Sequence, residues 1–257
     1  METDLLFRYR PLDTKKRIKY FTEGMKEKKL FTVPLEQLND ISEGLNVTAE
    51  FAYAGTSHYV ITDNPDPVLL NYVRGYRVLS LCETCFSSAM WANYASDFNG
   101  VCLGFWSEYS DFSLAKPVAY DNNAYEKIIL NEAVCSDEDK RNKVINQALH
   151  IKGEDWAYEK EWRIVYNSDS SYTSFEHDAL ACIIINEMKI DKTVLKWIVS
   201  YCNNHCVPLL SISRCRRPNQ LKIKPYSIQS DTGVSRRKAL YNVDQLIGYL
   251  HAKYWGC

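Results

Sequence analysis

The order of strand-like and helix-like segments is the sequence feature that most constrains the fold of this chain. Short apolar runs at 77–82, 101–105 and 181–185 are typical of buried strands. Amphipathic helical patterns at 137–150 and 191–201 follow some of these runs but do not alternate regularly with them. A doubly wound parallel sheet requires such an alternation. The sequence therefore predicts an α+β fold.

Two of the predicted helices begin at residues that can cap them. Asp13 or Thr14 can accept a hydrogen bond from the first turn of a helix that runs through the basic stretch behind it. Ser136 is in the same position before the helix predicted over 137–150. A further helix is predicted after Pro65 or Pro67, where apolar residues recur at helical spacing up to Val73.

The composition predicts one soluble domain. With 257 residues, of which 46% are hydrophobic, the chain can bury one large core, and we expect a single domain over 1–257. The 31 Lys and Arg residues are balanced by 32 Asp and Glu residues, so no net field attracts nucleic acid or an anionic membrane. The longest apolar run, 179–185, is far shorter than the roughly 20 residues of a membrane span, and residues 1–4 lack a signal-peptide pattern. We expect a cytoplasmic protein without a membrane partner.

Several common enzyme signatures are missing from the sequence. The glycines form neither GxGxxG nor GxxxxGK[ST], which excludes a Rossmann dinucleotide site and a P-loop. HExxH and GxSxG are also missing, which excludes the zincin metalloproteases and the α/β-hydrolases. Any chemistry of this chain must come from another arrangement of residues.

The nine cysteines predict free thiols, because the chain has no export signal. Two groups have the residue types of zinc ligands: Cys82 with Cys85, and Cys202 with His205 and Cys206. Neither group has the glycine or turn residues of a zinc knuckle. We therefore expect small buried hydrophobic side chains and no metal, with zinc binding as the alternative.

The stretch 158–166 carries the strongest chemical signal. If it is a strand, alternation puts Glu159, Glu161 and Arg163 on one face. The other face is largely aromatic and apolar: Tyr158, Trp162, Ile164 and Tyr166. The two carboxylates are then roughly 7 Å apart beside a guanidinium group. One interpretation is an exposed strand whose charges form a ladder with its neighbours, and the other is a functional cleft.

Several segments resemble a bacterial family of unknown function with the signature MWxxYA…GvclgF…WxyExEWR. The matching residues are 90–95, 100–105 and 156–163, and 6–10 are similar to the first strand of that family. The resemblance extends over about 5–190, whereas 191–257 rests on pattern alone. Ile41 departs from it, since the family usually has proline there.

That family in turn resembles a remote branch of the ADP-ribosyltransferases, which implies a split mixed β-sheet with flanking helices. It also implies that an N-terminal strand, a middle strand and a late strand together bind NAD as the substrate. On this resemblance Glu161 is the catalytic carboxylate, and Glu159 orients or deprotonates the acceptor. Arg163 is a structural partner. The residues expected to contact NAD are Arg8, Tyr9, Arg10, Ser80, Trp91 and Tyr94.

The function implied by the resemblance is transfer of ADP-ribose from NAD to a nucleic acid or a protein. A toxin or anti-phage effector is the expected setting, and a toxin would have an antitoxin as partner. One alternative is an NAD glycohydrolase, which uses water as the acceptor. The other is a non-catalytic binding or scaffold module, in which the charged face is a partner surface.

Basic residues near the C-terminus predict a nucleic-acid contact. They are Arg214, Arg216, Arg217, Lys222, Lys224, Arg236, Arg237 and Lys238. With Tyr226 between them, such residues can follow the backbone of RNA or DNA. A solvated loop face is the commoner explanation of such a run, and the sequence pI of about 6.5 gives nucleic-acid binding no support beyond this local patch.

Overall fold

The computed structural model describes residues 4–39, 48–53, 56–60, 75–122, 129–131, 136–215, 220–226 and 243–255. Several predictions lie outside these residues. They are the helix after Pro65 or Pro67, the departure at Ile41, and the basic residues Arg216, Arg217, Arg236, Arg237 and Lys238.

The described chain contains both helices and strands, as the α+β prediction requires. The helices are α1 (Lys15–Glu27), α2 (Ser88–Tyr94), α3 (Glu138–Ala148), α4 (Lys192–His205) and α5 (Val243–Trp255). The first eight strands are β1 (Leu5–Arg10), β2 (Lys29–Phe31), β3 (Val33–Pro34), β4 (Thr48–Tyr53), β5 (Thr56–Val60), β6 (Tyr76–Cys82), β7 (Val101–Trp106) and β8 (Lys116–Pro117). The others are β9 (Ala119–Tyr120), β10 (Ile129–Asn131), β11 (Ile151–Lys152), β12 (Glu161–Asn167), β13 (Tyr172–Ser174), β14 (Leu180–Ile185), β15 (Leu209–Arg214) and β16 (Leu221–Pro225).

These elements group into two compact units, and each unit is drawn from separate stretches of chain. Unit 1 comprises Met1–Lys29, Leu81–Ser113 and Ser174–Cys257. Unit 2 comprises Leu30–Ser80 and Leu114–Thr173. The single domain predicted over 1–257 stays a prediction.

Unit 1 is built on a mixed sheet with the strand order β16-β15-β14-β7-β1. β7 is antiparallel to β1, with Arg8 opposite Leu103, and antiparallel to β14. β15 is parallel to β14 and antiparallel to β16. On the side of β1 away from β7, Phe7 pairs with Cys82 of β6. The α+β class and a mixed sheet are therefore confirmed.

The core of unit 1 forms because its strands are almost continuously apolar. Every residue of β14 is buried, as are the first five residues of β1. Strands of this kind must be covered on both faces. Helices provide cover: Trp91 from α2 and Leu246 and Leu250 from α5 belong to the core cluster.

Capping residues fix the starts of three helices. The Thr14 hydroxyl accepts from the amide of Arg17 at the start of α1, as predicted. For α3 the prediction of Ser136 is wrong, because the side chain of Asp137 accepts from the amide of Lys140. Asp191 caps α4, which continues beyond the predicted residue 201 until Cys206 adopts the left-handed conformation with φ 56°.

Unit 2 contains the strand order β6-β12-β8, with β3 paired to β6. A separate parallel pair joins β9 to β11, with Lys152 opposite Tyr120. A third sheet has the order β10-β4-β5, and its strands were not predicted. None of the helices in the described ranges is both long and apolar enough to cross a membrane.

Gly100 provides a test of the packing in unit 1. A β-carbon there would clash with the carbonyl oxygen of Arg10 and lie 2.9 Å from that of Ala95. Backbone atoms have no room to move, so we expect Gly100→Ala to lower the free energy of unfolding by about 1–3 kcal/mol. In α5, Gly248 has open space, and Gly248→Ala should raise it by about 0.5–1 kcal/mol. Urea denaturation measures both, and equal effects would contradict the packing at Gly100.

Candidate functional site

The backbone before β12 differs from the strand predicted over 158–166. Glu154–Glu159 forms a 3-10 helix, Lys160 is left-handed with φ 46°, and the strand begins at Glu161. The prediction of a strand at 158–160 is therefore wrong. Because the chain reverses through Lys160, Glu159 and Glu161 are presented by two different elements and are not related by strand alternation.

The charged side chains of this stretch are buried. Glu159 is 4% exposed, Glu161 is 6% exposed and Arg163 is 1% exposed. Trp162, on the other face of β12, is only half-buried. The interpretation as an exposed charge ladder is therefore wrong. Isolated buried charges would be very unfavourable, so these groups must be paired.

Arg163 pairs with Glu161 through two parallel hydrogen bonds. Its Nε lies 2.8 Å from Glu161 Oε1 and its Nη2 lies 2.7 Å from Oε2. The remaining nitrogen, Nη1, donates to the carbonyl oxygen of Leu149 at 2.7 Å. This fork geometry is the strongest way to pair a carboxylate with a guanidinium. The expectation that Arg163 is a structural partner agrees with these contacts.

Lys152 of β11 is shared by the two carboxylates. Its Nζ lies 2.6 Å from Glu159 Oε2 and 3.6 Å from Glu161 Oε2. It also donates to Asn39 Oδ1 at 3.2 Å and lies 4.4 Å from the centre of the Trp156 ring. Two cations and two anions therefore form one neutral group, which we call the carboxylate cluster: Lys152, Glu159, Glu161 and Arg163.

Two hydroxyl groups contact Glu161 from other strands of unit 2. Ser80 of β6 faces its carboxylate and lowers the pKa of that group. The Tyr120 hydroxyl oxygen of β9 accepts from the backbone amide of Glu161 at 2.7 Å. Ser80 is half-buried, unlike the cluster itself. The start of β12 is thus held by side chains from β6, β9 and β11.

The electrostatics of the cluster favour an ionised Glu161. Burial by itself would raise the pKa of this carboxyl, but Arg163 opposes that effect most strongly, followed by Lys152 and Ser80. The pKa of Glu161 is therefore lowered from its ordinary value of 4.5. Burial raises the pKa of the Tyr120 hydroxyl, which keeps it protonated.

The aromatic residues expected to contact NAD in unit 1 are mainly part of its core. Trp91 is fully buried, donates from Nε1 to the carbonyl of Cys85 at 2.8 Å, and stacks on Phe98. The Tyr9 ring meets the Trp91 ring edge-on, with the ring centres 5.4 Å apart, and the Tyr9 hydroxyl donates to the carbonyl oxygen of Thr84. Trp91 and Tyr9, both expected to contact NAD, thus pack within the core of unit 1.

The other predicted residues of unit 1 are placed differently. Arg8 of β1 is 5% exposed, and Arg10 at the end of that strand is half-buried. Tyr94 is half-buried at the end of α2, where it packs against the core cluster. Ser80, Glu159 and Glu161 belong to unit 2.

Three of the four cysteines in the two groups considered for zinc are buried. The described cysteines form no disulfide bond, and Cys82, Cys85 and Cys202 are buried, whereas Cys206 is exposed. Burial raises the pKa of the Cys85 and Cys202 thiols, which disfavours the thiolate that zinc requires. Across the described residues, no group of three or more His, Cys, Asp or Glu side chains could hold a metal ion.

The sequence patterns did not identify Lys152, Asn39 or Tyr120 as site residues. Lys152 lies in a two-residue strand, and Asn39 follows the 3-10 helix Leu35–Gln37. Neither strand periodicity nor a motif marks such positions. The sequence signal for a buried charge at this position is weak: Lys152 lies directly between the apolar Ile151 and Gly153.

The comparisons with known proteins found one similarity. Residues 90–164 match a family described as a protein of unknown function, DUF2971. The matched region includes Trp91, Lys152 and the carboxylates of the cluster. No match was found among curated proteins, and none was found among solved structures. Function must therefore be argued from the geometry of the cluster.

The lowered pKa of Glu161 predicts a specific dependence of stability on pH. A carboxyl whose pKa is lower in the folded protein contributes stability above its unfolded value, and that contribution is lost as the pH falls through the folded pKa. Near pH 7, Glu161→Gln should lower the free energy of unfolding by about 3–5 kcal/mol, because Arg163 and Lys152 lose a buried counter-charge. This difference should shrink as the pH falls below 4.5.

Urea denaturation of the two proteins at a series of pH values measures this difference. Glu154→Gln is the matched control, because Glu154 is exposed on the adjacent 3-10 helix. A difference between wild type and Glu161→Gln that is constant over the acid range would contradict the prediction.

Proposed function

We propose that this protein transfers ADP-ribose from NAD to a macromolecular acceptor, with Glu161 as the catalytic carboxylate. One observation carries the proposal: Glu161 is a buried carboxylate at the start of β12 whose pKa is lowered by Arg163, Lys152 and Ser80, and Ser80 lies on the neighbouring strand β6. This is the pairing of a middle-strand serine with a late-strand glutamate that the resemblance to ADP-ribosyltransferases implies. Arg8 lies on the first strand, β1, as the same resemblance implies.

The chemistry requires an anionic group beside the ribose. When the bond between ribose C1′ and the nicotinamide nitrogen breaks, its electron pair leaves with neutral nicotinamide, and positive charge develops on the ribose. An ionised carboxylate stabilises that charge and accepts hydrogen bonds from the ribose hydroxyls. Arg163, Lys152 and Ser80 favour the ionised form of Glu161 before the substrate binds.

Glu159 has the position of a second functional carboxylate. The acceptor oxygen or nitrogen bonds to C1′ and loses its proton, and a nearby carboxylate can receive that proton. Glu159 shares the Lys152 ammonium group with Glu161, which keeps the two groups near each other. With water as acceptor, the same arrangement would hydrolyse NAD to ADP-ribose and nicotinamide.

A second candidate function is a non-catalytic binding or scaffold module. The observation in its favour is the burial of both carboxylates, at 4% and 6% exposure, in closed ion pairs. Under this alternative the carboxylate cluster only stabilises unit 2, and changes to Glu161 act through stability alone. Catalysis and stability can be measured separately, so the two candidates are distinguishable.

The class of acceptor that we propose is a nucleic acid. Arg214 on β15 and Lys222 and Lys224 on β16 are exposed basic residues of unit 1. Exposed lysines and arginines are the residues that commonly contact the phosphates of nucleic acids. Of these three, Lys224 also forms an ion pair with Glu187 at 2.6 Å. A cytoplasmic toxin or anti-phage effector with an antitoxin is the setting that this activity would fit. A protein acceptor would show as label in the protein fraction.

Incubation with NAD labelled in the adenylate tests the main proposal. We expect wild-type protein to label RNA or DNA from a total cell extract and to release nicotinamide. Glu161→Gln should reduce the rate by at least ~100-fold, because the developing charge loses its stabilising anion. Glu154→Gln, on an exposed position of the 3-10 helix, should retain the wild-type rate. No transfer and no nicotinamide release by folded wild-type protein would refute the proposal.

Replacement of Glu159 separates transfer from hydrolysis. If Glu159 serves the acceptor, Glu159→Gln should lower transfer by roughly 10- to 100-fold and leave nicotinamide release less affected. Nicotinamide release and macromolecular label are measured in the same reaction. Equal losses of both products would contradict a role for Glu159 in acceptor activation.

A further inference from the structure

We propose that Lys152 is a positioning residue whose ammonium group sets the separation and orientation of the Glu159 and Glu161 carboxylates. This inference rests on the proposed function, in which those two groups do the chemistry. It concerns a residue that neither the strand pattern nor the resemblance pointed to.

The contacts of Lys152 are those of a group built into the site. Its side chain is 1% exposed, and its Nζ reaches Glu159 at 2.6 Å, Glu161 at 3.6 Å and Asn39 at 3.2 Å. An ammonium group donates three hydrogen bonds, and the aromatic face of Trp156 at 4.4 Å supports its charge from another direction. A lysine that served only as a counter-ion for one carboxylate would not need to contact both.

Lys152 lies closer to Glu159 than to Glu161, and this difference indicates its role in the cluster. Glu161 already has a full bidentate partner in Arg163, at 2.8 and 2.7 Å. Glu159 has Lys152 as its short ion pair, and Asn39 donates to its other oxygen at 3.2 Å. Lys152 therefore ties Glu159 of the 3-10 helix to the Glu161–Arg163 pair of β12.

The backbone of Lys152 is held by the same elements as the site. In the parallel pair β9–β11, Lys152 lies opposite Tyr120, whose hydroxyl oxygen accepts a hydrogen bond from the backbone amide of Glu161. The amide of Asp121 donates to the Lys152 carbonyl at 3.1 Å. One short ladder thus positions both the ammonium group and the hydroxyl that hold the start of β12.

Substitution of Lys152 should change catalysis in a way that lost stability would not. In Lys152→Met the chain length is similar but the charge is removed. We expect kcat for nicotinamide release to fall at least ~10-fold with KM for NAD within a few-fold of wild type, because the carboxylates are misplaced for the transition state. The acid limb of the pH–rate profile should move up by about one pH unit, since Glu161 loses a cation.

The charged groups around Glu161 include the Glu159 carboxylate, which Lys152 also contacts. Arg163 of β12, Lys152 of β11 and Ser80 of β6 lower the pKa of Glu161, and Tyr120 of β9 binds its amide. In Lys152→Met, Arg163 and Ser80 still lower the pKa of Glu161. The acid limb should therefore move without disappearing. Lys143→Met, an exposed lysine of α3, is the matched control and should leave kcat and the profile unchanged.

A titration of ¹³C-labelled glutamate side chains by NMR gives a readout that needs no activity. In folded Lys152→Met the Glu161 carboxyl, assigned by comparison with Glu161→Gln, should titrate at higher pH than in wild type. If wild-type protein releases no nicotinamide, the proposed function fails and this titration alone decides the electrostatic role of Lys152. An unchanged titration together with an unchanged kcat would overturn the inference.

Lys152→Arg keeps the experiment decisive if Lys152→Met does not fold. This variant retains the positive charge, but a planar guanidinium cannot reproduce the contacts of a compact ammonium group. We expect it to fold, to retain a low titration of Glu161, and to lose kcat with little change in KM. Wild-type kcat in Lys152→Arg would show that only charge matters and would overturn the positioning role.

Discussion

The bidentate ion pair between Glu161 and Arg163 is the interaction on which the site in unit 2 depends. Both groups are almost fully buried, and neither would be tolerated there alone. The pair leaves one guanidinium nitrogen for the carbonyl of Leu149, so the cluster also holds the chain that follows α3. Removal of either partner would therefore disturb the backbone as well as the charge balance.

Burial and ionisation are usually in conflict for a carboxyl group. In this cluster the conflict is resolved by the cations Arg163 and Lys152 and by Ser80, which together lower the pKa of Glu161. The result is an anion that is already charged and already oriented. Such an arrangement suits stabilisation of positive charge in a transition state, and it also suits a rigid core. Only measurements of catalysis and stability on the same variants separate the two roles.

The sequence predicted the apolar parts of the fold well and the charged part poorly. The strands at 77–82, 101–105 and 181–185 are close to β6, β7 and β14, because a run of apolar residues must be buried wherever it occurs. Glu161 and its partner Arg163 were also picked out by pattern. The faces of 158–166 were misjudged, since alternation assumes a continuous strand, and a single left-handed residue at Lys160 breaks it. Lys152 was missed because its role depends on a distant pairing that no local period encodes.

The two-residue ladder of β9 and β11 has a consequence for the specificity of folding. In a β-strand a slip of one residue turns every side chain to the opposite face. A slip of β11 against β9 would replace Lys152 by Ile151 or Gly153 beside the carboxylates and leave two buried anions with one cation. The misaligned state is thus penalised by charge imbalance as well as by packing. The neutral charge of the cluster therefore favours the observed register of β9 and β11, a ladder with too few residue pairs to define its register by itself.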